Sequence, residues 1–179
     1  EFVSNVRITA ASASESAAGW ARLKTFCCAD NPLITDEGMA KMLKELAGVG
    51  LASLDVSCTP DSPRNMFCES AKALGVALAN VQHTNLKFSL KTLNLSGCAL
   101  TNRGSNKAGY HQLLRGLAGQ KGRAKASCVE SLNLTRCQLD SDDLLDLADC
   151  VRDDKIPLQT LAWTTLTVDD TTGEETEVL

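Results

Sequence analysis

Leu90–Leu100 reads LKTLNLSGCAL and Val129–Leu139 reads VESLNLTRCQL, one eleven-residue pattern written twice in the same register, 39 residues apart. Both fit LxxLxLxxCxL, with Val129 standing for the first leucine. The alternation between the fourth and sixth places is strand periodicity, which turns those side chains into one layer, and the Cys at the ninth place closes a turn. Such units cannot bury an apolar face alone, so they stack, each covering its neighbour.

The same spacing recurs on both sides of the strong pair. Downstream, Leu158, Leu161 and Trp163 take the first, fourth and sixth places, followed by Leu166 and Val168, with Leu at the ninth. Upstream, Leu51, Leu54 and Val56 precede Thr59 at the turn place, and Leu23, Phe26 and Cys28 precede Asn31 and Leu33. Val3, Val6 and Ile8 read as the strand of a shortened first unit. First places at Leu23, Leu51, Leu90, Val129 and Leu158 lie 28, 39, 39 and 29 residues apart, so two units carry about ten extra residues. Strands are expected near 3–8, 23–28, 51–56, 90–95, 129–134 and 158–163.

Between these strands the apolar period becomes helical. Thr35 is placed to cap a helix with Asp36 and Glu37 in its first turn and Met39, Met42, Leu43 and Leu46 on one side, ended by Gly48. Residues 66–79, after the Ser62-Pro63 start signal, align Phe67, Ala71, Leu74 and Leu78. In 105–118, Leu113, Leu114 and Leu117 do the same, while Gly109 and Gly116 lower the helix propensity. After Leu139, Asp140 or Ser141 caps a helix with Asp142 and Asp143 in its first turn and Leu144, Leu145, Leu147, Ala148 and Val151 as its expected buried side.

A strand, a turn and a helix, repeated in parallel, resembles the leucine-rich repeat family, and the 28- and 29-residue units with their helices look like its ribonuclease-inhibitor-like subclass. The resemblance covers about Leu23 to Val168. It implies an α/β leucine-rich repeat solenoid of about five to six repeats, with a curved parallel sheet on the concave face and helices on the convex face. The leucine-rich repeat domain is expected over 1–168 and an acidic C-terminal tail over 169–179. Neither end carries a convincing polar cap, so the array is expected to continue in a longer chain or to be closed by a partner.

Composition narrows the function. A formal charge of −4 and a pI near 5.2 argue against a general nucleic-acid binder, which needs a basic face. No run of roughly 18 apolar residues is present to span a membrane, and the start has no basic segment followed by an apolar one. The eight cysteines fall mostly on core or turn places, where a reduced thiol acts as a small hydrophobe, so an intracellular, reducing compartment is expected, cytoplasmic or cytoskeletal. The chain has two histidines, His83 and His111, outside any catalytic motif, and no GxxxxGK[ST], GxGxxG, CxxC or CxxxH string. No catalytic residue, cofactor, metal or small-molecule substrate is expected.

The residues between the leucines face away from the core. The fifth place gives Asp55, Asn94 and Asn133, the eighth gives Arg136, and the third gives a row of small polar residues, Thr25, Ser53, Thr92, Ser131 and Thr160. Small side chains let a partner's helix or loop come close, and Arg is a common anchor, so Asp55, Asn94, Asn133 and Arg136 are the candidate trough; a solvated sheet face is the competing reading. Lys121, Arg123 and Lys125, in GQKGRAKAS, form a basic loop suited to an acidic partner segment, or a solvated charge run. The leading expectation is a non-catalytic protein-interaction module or scaffold subunit. The resemblance adds two alternatives: a GTPase activator of the Ran-activator type, and a structural subunit of a ciliary or cytoskeletal assembly.

Overall fold

A computed structural model describes residues 7–10, 23–31, 33–47, 49–59, 68–80, 90–101, 106–118, 128–152, 156–168 and 175–178. Strands β1 (Arg7–Ala10), β2 (Leu23–Cys27), β3 (Ser53–Asp55), β4 (Thr92–Asn94), β5 (Ser131–Leu139), β6 (Thr160–Val168) and β7 (Glu175–Val178) form one sheet in chain order. Helices α1 (Asp36–Leu46), α2 (Cys68–Asn80), α3 (Ala108–Ala118) and α4 (Ser141–Arg152) follow β2, β3, β4 and β5, and each packs on the next. Strands β2 to β6 are parallel and pair in the register of the repeat: third place with third, fourth with fourth, fifth with fifth, as in Thr92, Leu93 and Asn94 against Ser131, Leu132 and Asn133.

Main-chain hydrogen bonds carry the ladder beyond the short strands. At the second place Ala52 N bonds Lys24 O, Lys91 N bonds Ala52 O, Glu130 N bonds Lys91 O and Gln159 N bonds Glu130 O. At the seventh and eighth places Asp30 N reaches Ser57 O, Cys58 N reaches Ser96 O and Gly97 N reaches Thr135 O. The first, fourth and sixth places of the inner units are buried, as Leu51, Leu54, Val56, Leu90, Leu93, Leu95, Val129, Leu132 and Leu134 show. Burying each such leucine is worth about 1.5–3 kcal/mol relative to leaving it exposed, so the leucine grid carries most of the fold's stability.

The two edge strands differ from the expectation for 3–8 and for an acidic tail. β1 runs antiparallel to β2, with Arg7 opposite Cys27, so it is an edge cover rather than a repeat strand. A period-two pattern reads the same in either chain direction, which is why its spacing passed for that of a parallel repeat strand. At the other edge, β7 pairs antiparallel with β6, Leu166 opposite Glu177, and draws four residues of the acidic segment into the sheet. Edge pairing is made by the backbone, and charged side chains suit an edge strand.

Two further details are corrected. In the second unit the buried turn residue is Cys58, at the eighth place, whereas Thr59 is exposed and bonds through its N–H to Asp30 Oδ1. The glycines of α3 have a packing role that propensity conceals. A Cβ on Gly109 would stand 2.5 Å from Cys68 O and one on Gly116 2.3 Å from Gly75 O, while one on Gly75 would stand 2.2 Å from Gln112 O. Cys68 and Gly75, like Gly109 and Gly116, are seven residues apart, two helical turns, so α2 and α3 touch backbone to backbone along matched faces.

Candidate interaction surface

The sheet has one face under the helices and one without them. On the uncovered face the register sets Asp55, Asn94 and Asn133 side by side as direct Cα partners on adjacent strands. All three are half-buried and each does local structural work. Asp55 Oδ1 accepts from Ser57 N at 3.0 Å and from Ser57 Oγ at 2.7 Å. Asn94 Oδ1 accepts from Ser96 N at 3.2 Å, and Asn133 Oδ1 accepts from Thr135 N at 3.0 Å and Thr135 Oγ1 at 2.9 Å. An Asx oxygen two residues before a free N–H holds the chain where it leaves the strand.

The seventh-place hydroxyls extend this row across strands. Ser96 Oγ and Thr135 Oγ1 are 2.7 Å apart, and because Thr135 uses its proton on Asn133, Ser96 is the donor. Among the described residues the side-chain link across strands lies at the seventh place, not among the small polar residues of the third. What remains outward is the second carboxylate oxygen of Asp55 and the amide groups of Asn94 and Asn133, which make no hydrogen bond among the described residues.

Arg136 stands at the eighth place, just above Asn133. Its backbone is left-handed (φ 56°), as at Gly97 (φ 77°) one unit earlier and Asp30 (φ 54°) in the first unit. For Arg this conformation costs of order 1–2 kcal/mol that glycine avoids. It is held by a 2.7 Å hydrogen bond from Arg136 N to Thr164 Oγ1, where the earlier units use a backbone carbonyl. Arg136 is half-buried and has no ion pair among the described residues. Next to the row, Lys91 and Glu130 pair across β4 and β5 at 2.8 Å. Lys121, Arg123 and Lys125 lie outside the described residues, as does His83.

Beneath the turns runs a column of thiols. Cys98 Sγ donates to Val56 O at 3.4 Å and Cys137 Sγ to Leu95 O at 3.1 Å, each from a ninth place to the sixth-place carbonyl one unit back. Asn31, the first ninth-place residue, does the equivalent locally, its Nδ2 bonding Cys28 O and Ala29 O at 2.8 Å. Burial pushes the Cys28 thiol up to about 12, assisted by Cys27, Asp55 and Cys58, and the bond with Cys58 and burial raise Cys98 well above the ordinary range. None of the eight cysteines is in a disulfide, and no group of three or more His, Cys, Asp or Glu stands ready to hold a metal among the described residues.

On the helical side the helix starts are stitched to one another. Asp36, in the first turn of α1, accepts from Glu69 N and Ser70 N of α2, both at 2.9 Å, and from Ser70 Oγ. Asp140 and Asp143 form a reciprocal cap on α4: Asp143 N to Asp140 Oδ1 at 2.9 Å, Asp140 N to Asp143 Oδ2 at 3.0 Å. Lys107 bridges them from the start of α3, 2.9 Å from Asp140 Oδ2 and 2.9 Å from the fully buried Asp143 Oδ1. Hydrogen bonds to Asp140 and then Asp143 raise the Lys107 ammonium above its usual range. Burial opposes ionisation of Asp140, but the Asp143 N–H and Lys107 outweigh it and hold its carboxyl low. Tyr110 is buried against this cluster, its Oη donating to Asp143 O at 2.8 Å.

Residues 87–104 match the Leucine Rich repeat family model, which places the match on β4 and its turn. No curated protein and no solved structure matches the chain. No helix among the described residues is long and apolar enough to cross a membrane. Sequence reasoning found the row Asp55–Asn94–Asn133 from its places in the repeat, but missed the structural duty of its oxygens; the signal was the Ser or Thr two residues on in each unit. It also missed the Lys107 bridge, because 33 residues separate Lys107 from Asp140 and nothing in local spacing links them.

Proposed function

We propose that the chain is a non-catalytic protein-interaction module, a leucine-rich repeat solenoid of five parallel units in the ribonuclease-inhibitor-like style, which takes a protein partner along the uncovered, concave face of its sheet. The observation that carries this reading is the row of Asp55, Asn94 and Asn133, fixed by Ser57, Ser96 and Thr135 so that one polar atom of each is left without a hydrogen bond among the described residues. A surface whose side chains are already locked loses little conformational entropy when a partner docks, and that favours binding. Arg136, with no ion pair among the described residues, supplies an anchor of the type common at interface centres. Lys121, Arg123 and Lys125 are included as cations for an acidic part of the same partner. Eight cysteines outside any disulfide, four of them buried, fit a reducing intracellular compartment.

The test is capture of the partner by the intact chain, followed by mass spectrometry, and then affinity measurements with Asp55→Asn and Arg136→Gln together. Asn can repeat the Asp55 turn bond as it does in the next two units, so the fold is preserved while the charges are lost. Affinity is expected to fall about tenfold or more, on the scale of one lost charged contact. Unchanged affinity with unchanged stability would move the site off this face.

A further inference from the structure

Apolar places that are buried in α1 and in the earlier strands are exposed on α4 and β6. Counted from the capping residue, α1 from Thr35 and α4 from Asp140, the fourth, fifth, eighth and eleventh positions are Met39, Ala40, Leu43 and Leu46 in one helix and Leu144, Leu145, Ala148 and Val151 in the other. In α1, against which α2 packs, all four are buried. In α4, Leu145 is 65% exposed, Ala148 is exposed and Leu144 and Val151 are half-buried. Sequence reasoning expected all of them inside; the covering neighbour that buries such positions in α1 is missing from α4 among the described residues. The strand repeats the contrast: the sixth place is at most 1% exposed at Cys28, Val56, Leu95 and Leu134 but 41% at Trp163, and Leu158 and Leu161 are half-buried where their counterparts are buried.

We propose that this end, Leu145 and Ala148 of α4 with Trp163 of β6, is a second docking surface, and that its occupant is an apolar helix of a partner protein with a basic rim. The helix-on-helix step that builds the array, α1 to α2 to α3 to α4, makes a helix the shape that continues it. The charge comes from α4 itself, which carries Asp142, Asp146 and Asp149 on exposed positions beside Leu145. Among the described residues Asp146 is met by His111 and Asp149 by Arg152, in pairs that stay open to solvent. Lys or Arg residues along the partner helix would meet these carboxylates, whereas a second copy would set one acidic helix against another. This surface is independent of the sheet face proposed above.

The probe is a synthetic amphipathic helical peptide of Leu and Lys, with a Leu and Glu peptide of the same pattern as its control, followed by Trp163 fluorescence in a Trp20→Phe background. The Leu–Lys peptide is expected to shift Trp163 emission to the blue saturably and to shield it from acrylamide. Leu145→Asp should weaken that binding about tenfold or more, through lost apolar burial, while Leu33→Asp, at an exposed leucine elsewhere, and Asp55→Asn leave it unchanged. Circular dichroism of each variant reports whether it is folded, and Ala148→Lys serves as a second disruption should Leu145→Asp unfold. Equal binding of both peptides, no binding of either, or binding untouched by both α4 substitutions overturns the proposal. So does a concentration-dependent dimer of the chain alone that Leu145→Asp abolishes, which would give the face to a second copy.

Discussion

Gly75→Ala is expected to destabilise the protein even though alanine is the better helix former. The added Cβ would stand 2.2 Å from Gln112 O, and ordinary contact begins at 3.4 Å, so α2 and α3 must part by roughly 3.4 minus 2.2, or 1.2 Å, at that point. The obstacle is backbone inside a helix and cannot rotate away. Parting the helices strips packing from Leu74 and Leu78 on one side and Leu113 and Leu117 on the other, all buried. Overpacking of this kind costs about 1–3 kcal/mol. A clash this close against rigid backbone belongs at the upper end, about 2–3 kcal/mol, so the helix-propensity gain of about 1 kcal/mol leaves a net loss of about 1–2 kcal/mol and a Tm lower by about 2–8 °C for a chain of this size. Thermal unfolding followed by circular dichroism measures this directly. Gly116→Ala should behave alike, and because its Cβ meets Gly75 itself, the double variant should lose less than the two single losses added together. Gly38→Ala, whose Cβ meets only the Thr35 and Ile34 side chains, at 3.3 and 3.8 Å, is the control and should be near neutral. A Gly75→Ala protein as stable as the parent, or more so, would refute the close backbone packing of α2 on α3.

Four other outcomes follow from the same geometry. Asp55→Ala should cost about 1–2 kcal/mol, for the two Ser57 bonds, whereas Asp55→Asn should leave chemical denaturation nearly unchanged. Lys107→Met should cost about 1.5–3 kcal/mol, because the buried Asp143 then keeps only its bond from Asp140 N; a stability within a few tenths of the parent's would show that the bridge is dispensable. With the Asp140 carboxyl held low, its contribution is full above the ordinary value of 3.8 and is lost as pH falls below it; the raised Lys107 contributes fully below 10.5 and is lost as pH climbs past that value. Urea titrations across pH should therefore show Lys107→Met flattening both limbs. Finally, a thiol reagent at neutral pH should modify the exposed Cys128 first and leave Cys28, Cys58, Cys98 and Cys137 unlabelled until unfolding, as mass spectrometry of the digested protein would register.

The parallel body of the fold was legible because its information is local and repeated. Leu93 and Leu132, or Cys98 and Cys137, are placed by spacing alone, and the register between units follows from superimposing them. Thr35 declared its cap, and Thr35 Oγ1 accepts from Gly38 N at 3.1 Å. The partly legible features depend on what lies next to them. Trp163 and Leu145 have the letters of a core, yet burial is a property of the neighbour, and spacing cannot show whether one is present. Gly109 and Gly116 look like weaknesses until α2 is set against them. The strand direction of β1 and the pairing of β7 depend on backbone partners, to which side-chain patterns are nearly blind. At the candidate site, the choice of residues was visible and their division between turn and surface was not, since that depends on which oxygen each Ser or Thr reaches.

Photo-crosslinking from single positions tests the central claim, a partner held on the uncovered face of the sheet. A photoreactive residue at Thr92, exposed at the third place of β4 beside the row, is compared with one at Val76, 46% exposed on α2. The account predicts a covalent adduct with the captured partner from Thr92 and none from Val76; adducts from Val76 with none from Thr92 would contradict it.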